Sequence, residues 1–149
     1  ILKNYIHLQK MRYDGHFHVD YEIGKDAGSC FVPRLILQPL VENSILHGLD
    51  MKMDSSRIEI RAVIEEDYLC ISVKDNGRGM TEEAIEKKNR ELEFDTMEKH
   101  SSIGIANVNR RLKAVYGKEC GIRLEARKGG GLRVILSFKP DEEGEETVL

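Results

Sequence analysis

Five stretches of this chain alternate between apolar and polar residues, and that alternation constrains the fold more than any other feature. Phe17, Val19, Tyr21 and Ile23 alternate with His18, Asp20 and Glu22. Ile58, Ile60, Ala62 and Ile64 alternate with Glu59, Arg61 and Glu65, and after a turn at Glu66-Asp67, Leu69, Ile71 and Val73 alternate with Cys70, Ser72 and Lys74. Ile122, Leu124 and Ala126 lead through Gly129-Gly130-Gly131 into Leu132, Val134, Leu136 and Phe138. A period of two makes a strand with one apolar face, and two such runs joined by a short polar or glycine-rich turn make a hairpin. Strands that are polar on their other face accept helices on one side only. The pattern predicts an α/β, two-layer sandwich: a mixed, mostly antiparallel sheet with helices on one face.

Helical patterns fill the intervals. Pro33 is placed to open a helix, since its missing N–H is not needed there, and the segment from Pro33 ends at Gly48 with Pro39 as a kink near its start. Ile105, Val108, Leu112 and Val115 mark a helix face that ends near Gly117. Leu2, Ile6 and Gln9 share a side of an opening helix that has no start signal before it, as in a segment continuing from a longer protein. Residues 81–102 hold seven acidic and four basic side chains and few core candidates, so they read as a solvated, mobile helix and loop. Residues 141–149 carry five acidic groups and read as a disordered tail.

At 149 residues the chain is long enough for one domain with a sizeable core. No apolar run approaches a membrane span, and a net charge of −3 gives no support for nucleic-acid binding. Cys30, Cys70 and Cys120 are odd in number and widely spaced, the pattern of buried or indifferent thiols rather than a zinc site or disulfide framework.

Three segments carry candidate chemistry. In Glu42-Asn43-Ser44-Ile45-Leu46-His47-Gly48, Asn43 and His47 lie four apart on a helix, and a carboxamide oxygen suits a hard cation such as Mg²⁺. The plain alternative is a helix end with solvated side chains. In Asp75-Asn76-Gly77-Arg78-Gly79-Met80, a strand delivers a carboxylate to a glycine-rich turn. There it can accept a hydrogen bond from an exocyclic amine such as adenine offers, with Arg78 facing solvent. The alternative is an ordinary Asn-Gly turn. In Ser101-Ser102-Ile103-Gly104-Ile105-Ala106-Asn107-Val108, small and hydroxyl residues precede a helix whose free N–H groups can hold phosphate, or whose serine simply caps it. A P-loop, the protein-kinase loop and its catalytic set, zincin motifs and the G-x-S-x-G elbow are all absent.

Together and in this order, these segments resemble the N, G1 and G2 boxes of the GHKL superfamily of gyrase, heat-shock chaperone, histidine kinase and mismatch-repair ATPases. LILQPLVENSILHG, DNGRGM and GIANVNRRL look like the sensor histidine kinases whose phosphoacceptor motif is Pro-His-Phe. NYIHLQKMRY looks like the segment that joins their dimerisation helix to the catalytic domain. The resemblance covers roughly residues 2–139.

It implies a domain plan of 1–13 as the end of a dimerisation helix and linker, 14–140 as an ATP-binding catalytic domain with its lid at 81–102, and 141–149 as a tail. It implies ATP contacts at Asn43, His47, Asp75, Gly77, Gly79, Met80, Ser102, Gly104, Ile105 and Asn107. Asn43 would also hold Mg²⁺, and Glu42 would orient a metal-bound water or an incoming imidazole. Asn107 and Arg111 would brace the lid base or touch phosphate. The implied partners are a phosphoacceptor-histidine helical domain of the same parent protein and a downstream response regulator, with no nucleic acid and no membrane contact by this segment. The parent would be membrane-anchored with this domain in the cytoplasm. Leu46 stands where many relatives carry Lys, Ser102 where many carry Gly, and the Pro-His-Phe motif is missing. His16-Phe17 lacks the preceding Pro and begins a strand; it and His7 read as surface histidines. A nucleotide-binding regulatory module without kinase activity, or a stand-alone ATPase or serine kinase, are the competing readings.

Overall fold

The computed structural model describes residues 2–49, 55–96, 103–141 and 146–148. The expected sheet is present. Strands β1 (Phe17–Ile23), β3 (Ser56–Glu65), β4 (Tyr68–Asp75), β5 (Gly121–Ala126) and β6 (Leu132–Phe138) form it in the order β1-β3-β4-β6-β5. Only the β1–β3 pair is parallel; the two hairpins and the β4–β6 join are antiparallel. The sheet is therefore mixed and mostly antiparallel.

Register aligns the apolar alternation across all five strands. Ile60 pairs with Val73, Val73 with Val134 and Val134 with Leu124, so one face is continuous and apolar. Ile58, Ile60, Ile71, Val73, Val134 and Leu136 are fully buried there. The other face carries charge, tied by cross-strand pairs of Arg57 with Asp20, Arg61 with Glu22 and Lys74 with Glu59. Asp75 is the exception. It pairs with Ile58, on the apolar face, at the end of β4.

Helices α1 (Leu2–Arg12), α3 (Gln38–Asn43), α4 (Glu82–Phe94) and α5 (Ile103–Tyr116), with the short α2 (Lys25–Gly28), accompany the sheet. Leu2 and Ile6 bury one side of α1, and Ile105, Val108 and Leu112 bury one side of α5. The helix expected from Pro33 begins only at Gln38. Leu35 adopts φ +62°, a left-handed conformation that interrupts a right-handed helix. Pro39 then falls in the first turn, where its missing N–H costs nothing, rather than at an internal kink. Past Asn43 the helix widens to a π-helical turn, Ser44–Gly48.

Residues 81–95 of the acidic segment are more firmly docked than its composition suggested, and residues 97–102 of the expected lid lie outside the described residues. Thr81 Oγ1 caps α4 by accepting from the Ala84 amide, and Asp95 ends it at φ +54°. Ile85 and Leu92 are buried. The Asn89 carboxamide both donates to Leu124 O and accepts from Leu124 N, at 2.9 and 2.8 Å. Asn109, 2% exposed, donates to Leu92 O and accepts from Ile122 N, each at 2.8 Å, while Lys113 Nζ donates to Leu92 O and Glu93 O.

The acidic C-terminal segment is also not wholly free. Strand β7 (Glu146–Thr147) pairs antiparallel with β2 (Phe31–Val32), and Val148 is buried. Composition argued for disorder, but this segment has strand partners and an apolar anchor. Just before it, Tyr116 lies 4.6 Å from Phe138 between ring centroids and donates its hydroxyl to Asp141 at 2.8 Å.

These contacts can be tested singly. Asn109→Ala leaves the Ile122 amide buried without its acceptor, and should cost about 2 kcal/mol in a urea titration. Burial, then the Asp141 carboxylate, push the Tyr116 phenol up to about 12 from its ordinary 10.0. A raised folded value means that this contribution is intact below pH 10 and is lost as pH rises through about 12. Tyr116→Phe should flatten the alkaline loss of stability in that window, read from melting temperatures.

Candidate functional site

The apolar face of the sheet ends in a carboxylate. Asp75 is 1% exposed, so its desolvation must be offset by hydrogen bonds. Oδ1 accepts from the Gly77 amide at 3.0 Å and the Leu132 amide at 3.4 Å. A buried carboxylate fixed in place by backbone amides is suited to receive a ligand donor such as an aromatic amine.

The π-helical turn is pressed against this carboxylate. A Cβ on Gly48 would stand 2.7 Å from Asp75 Oδ2, and one on Gly77 would stand 1.7 Å from the Gly48 carbonyl oxygen. Neither position accepts a side chain as built, because backbone and carboxylate occupy the space. Hydrogen bonds reinforce the approach: the Arg78 amide donates to Gly48 O at 2.9 Å, and its guanidinium donates to His47 O at 3.0 Å. Arg78 is exposed, in keeping with the solvent-facing position expected of it, yet it ties the glycine-rich turn to the segment after Asn43. Asn76 braces the same turn from the other side, accepting from the Arg57 amide and donating to Ser55 O.

The remaining expected residues fall around this junction in different ways. Glu42 and Asn43 end α3 and are half-buried, whereas the His47 side chain is exposed. The carboxamide of Asn43 has no hydrogen-bond partner among the described residues, and the neighbouring Ser44 hydroxyl is buried without one. Gly79 follows with φ +67°, and Met80 packs partly buried against the core. Gly104 lies at the start of α5, where an added Cβ would meet Pro39 at 3.1 Å, so α5 opens directly beside α3. The Ile105 side chain is in the core, leaving only its backbone for a ligand. Ser102 lies outside the described residues.

Asn107 accepts from Arg110, whose guanidinium also pairs with Asp95 at the end of α4. That chain of contacts braces α5 against the start of the segment that follows α4. Arg111 points elsewhere: it donates to Arg34 O at 2.7 Å, in the loop before α3.

Two further features bear on chemistry. Burial, and then the charge of the Glu42 carboxylate, push the Tyr5 phenol up to about 12. Among the described residues, no cluster of three or more His, Cys, Asp or Glu could hold a metal. A Mg²⁺ here would take one or two protein oxygens and most of its ligands from phosphate and water, which the unpaired Asn43 carboxamide beside Glu42 fits.

Residues 31–142 match the family model described as histidine kinase-, DNA gyrase B- and HSP90-like ATPase. The chain belongs to that family. It is 27% identical over 142 residues to the sensor protein LytS of Staphylococcus epidermidis, covering 93% of this chain and 23% of the relative. It is 32% identical over 122 residues to the sensor histidine kinase YpdA of Escherichia coli, covering 82% and 20%. The chain thus spans about a quarter or less of these curated relatives. The solved catalytic domain of histidine kinase ThkA superposes with a TM-score of 0.67 at 16% identity, covering 91% of this chain and 86% of that one. ThkA in complex with its response regulator TrrA superposes at 0.66 and 16%, covering 93% and 38%. No described helix is long and apolar enough to cross a membrane.

The ATPase family and the mixed five-stranded fold agree with the sequence reading. The sequence does not single out Gly48, Asn76 or Arg78 as parts of the site. Gly48 is readable only as a helix stop, and Arg78 only as a charged turn residue. Gly48→Ala should push Asp75 aside and weaken ATP binding by about tenfold or more, read by calorimetry on a variant that still unfolds cooperatively.

Proposed function

We propose that this chain binds Mg-ATP and donates the γ-phosphoryl group to a histidine on a separate helical dimerisation domain, from which a response regulator takes it. The observation that carries the reading is Asp75, a buried carboxylate held by the Gly77 and Leu132 amides against the π-helical turn that follows Asn43. The family match, the names of the sensor relatives and the ThkA–TrrA complex support the same direction.

Each residue has a task in this scheme. Asp75 Oδ2 accepts from the adenine amine, with Gly77 and Gly79 letting backbone lie close to the base and Met80 giving it an apolar wall. Asn43 contributes an oxygen to Mg²⁺, which when bound neutralises phosphate charge. The backbone at Gly104 and Ile105, at the positive end of α5, approaches the phosphates. Glu42 orients the attacking group. Asn107, through Arg110, braces the base of the lid. The lid is residues 81–102, with α4 as its docked part, and Ser102 has its proposed contact there. His47 has the weakest support among the proposed contacts, because its side chain is exposed. Phosphoryl transfer asks mainly for positioning and charge neutralisation, which these parts supply.

The parent protein would be anchored in a membrane with this domain on the cytoplasmic side. Leu46, 54% exposed where many relatives carry Lys, favours one competing reading, a nucleotide-binding module without kinase activity. The two separate when a helical domain bearing a Pro-His-Phe phosphoacceptor is supplied in trans with labelled ATP. Transfer to its histidine is expected; ATP binding without transfer would favour the regulatory module. Asp75→Ala should abolish ATP binding in calorimetry while the domain stays folded. Asn43→Ala should remove the Mg²⁺ dependence of binding or transfer, and unchanged metal titrations would refute its role.

A further inference from the structure

The last described residues of the chain hold the strand that leads into the candidate site. Strand β7 pairs antiparallel with β2, Phe31 opposite Thr147 and Val32 opposite Glu146. The two form a sheet of their own, so β2 has no other strand neighbour among the described residues. Val148 follows at 2% exposed, in the core cluster that also takes in Val32, Ile36, Leu37 and Leu40. A second anchor lies upstream, where Asp141 accepts from the Tyr116 hydroxyl at 2.8 Å. Asp141 and Tyr116 line one groove with Phe31, Pro33 and Arg34, so this anchor also stands beside β2.

From β2 the chain runs through residues 33–37 directly into α3, which carries Glu42 and Asn43. In that loop the Ile36 amide donates to Pro33 O, and Arg111 donates to Arg34 O. Leu35 at φ +62° keeps the loop from joining the helix. We propose that residues 141–148 act as a clasp on the nucleotide site: β7 docked on β2 holds the loop and so the placement of α3, and undocking it lets Asn43 shift relative to Asp75. Asp75 itself stays at the end of β4, in the five-stranded sheet. A pairing of two residues on two is marginal by itself, so the clasp depends on the Val148 anchor and can open without opening the main sheet. The inference rests on the nucleotide reading given above and adds a control to it.

Two variants of the full chain open the clasp in different ways. Val148→Asp puts a charge where the apolar anchor is buried. Thr147→Pro removes a backbone N–H from β7 and keeps Val148. Each is compared with the wild type for hydrogen exchange along the chain and for ATP affinity by calorimetry. Both should speed exchange at residues 31–37 while β4 and β6 stay protected, and both should weaken ATP binding about fivefold or more. A synthetic peptide of residues 141–149 added to Val148→Asp should restore protection and affinity together, and the same peptide carrying that substitution should restore neither. Coupling is reciprocal, so saturating Mg-ATP should slow exchange at residues 146–148 of the wild type.

Faster exchange at residues 31–37 with ATP affinity equal to wild type in both variants would overturn the clasp and leave the nucleotide reading standing. So would a peptide that restores protection without affinity. Unchanged exchange at residues 31–37 would mean that β7 does not hold the loop, and loss of protection in β4 and β6 by both variants would make the segment part of the global core; either result overturns the clasp. Absence of ATP binding by the wild-type chain would overturn the nucleotide reading, and the clasp with it.

Discussion

Two backbones meet where Gly77 lies against Gly48, and the candidate site is organised around that contact. The approach leaves no room for a side chain at either position. It brings the end of the π-helical turn down onto the Asp75 carboxylate, and with it α3, Glu42 and Asn43. It also fixes the turn after β4 in the conformation in which the Gly77 amide can donate back to Asp75. Arg78 closes the arrangement from outside with two bonds to the same turn. A buried charge is expensive unless its bonds are preorganised, and this junction supplies them before any ligand arrives.

The sheet is legible in the sequence because a repeat of two belongs to extended backbone and not to a helix. Ile58 to Ile64 and Leu132 to Phe138 show their buried face directly, and the hairpin turns are short and rich in polar residues or glycine. The helices are harder. The stretch from Pro33 to Gly48 looks continuous because propensity carries no trace of Leu35 in a left-handed conformation or of a turn widened after Asn43. The α4 segment reads as solvated because it buries only Ile85 and Leu92. Much of its docking comes from Asn89, Asn109 and Lys113 binding backbone groups, a kind of contact that hydrophobic periodicity does not register. At the C-terminus the five acidic groups mask a short strand whose pairing depends on β2, a distant partner.

The site divides along the same line. Asp75, Asn43 and the glycines are visible because residue type and spacing limit what they can do. Arg111 and Arg78 are not, because an arginine's partner is decided by tertiary structure: one reaches the loop before α3, the other the turn after it.

The double hydrogen bond between Asn89 and Leu124 has a consequence outside the site. Strand β5 is an edge of the sheet, and the outward N–H and C=O of an edge strand form a template for another chain. Asn89 occupies both groups of Leu124 at the middle of that edge. A second strand could not add there without first displacing α4. The helix therefore guards against edge-to-edge association, and two carboxamides, Asn89 on Leu124 and Asn109 on the Ile122 amide, keep β5 closed in a concentrated solution of this chain.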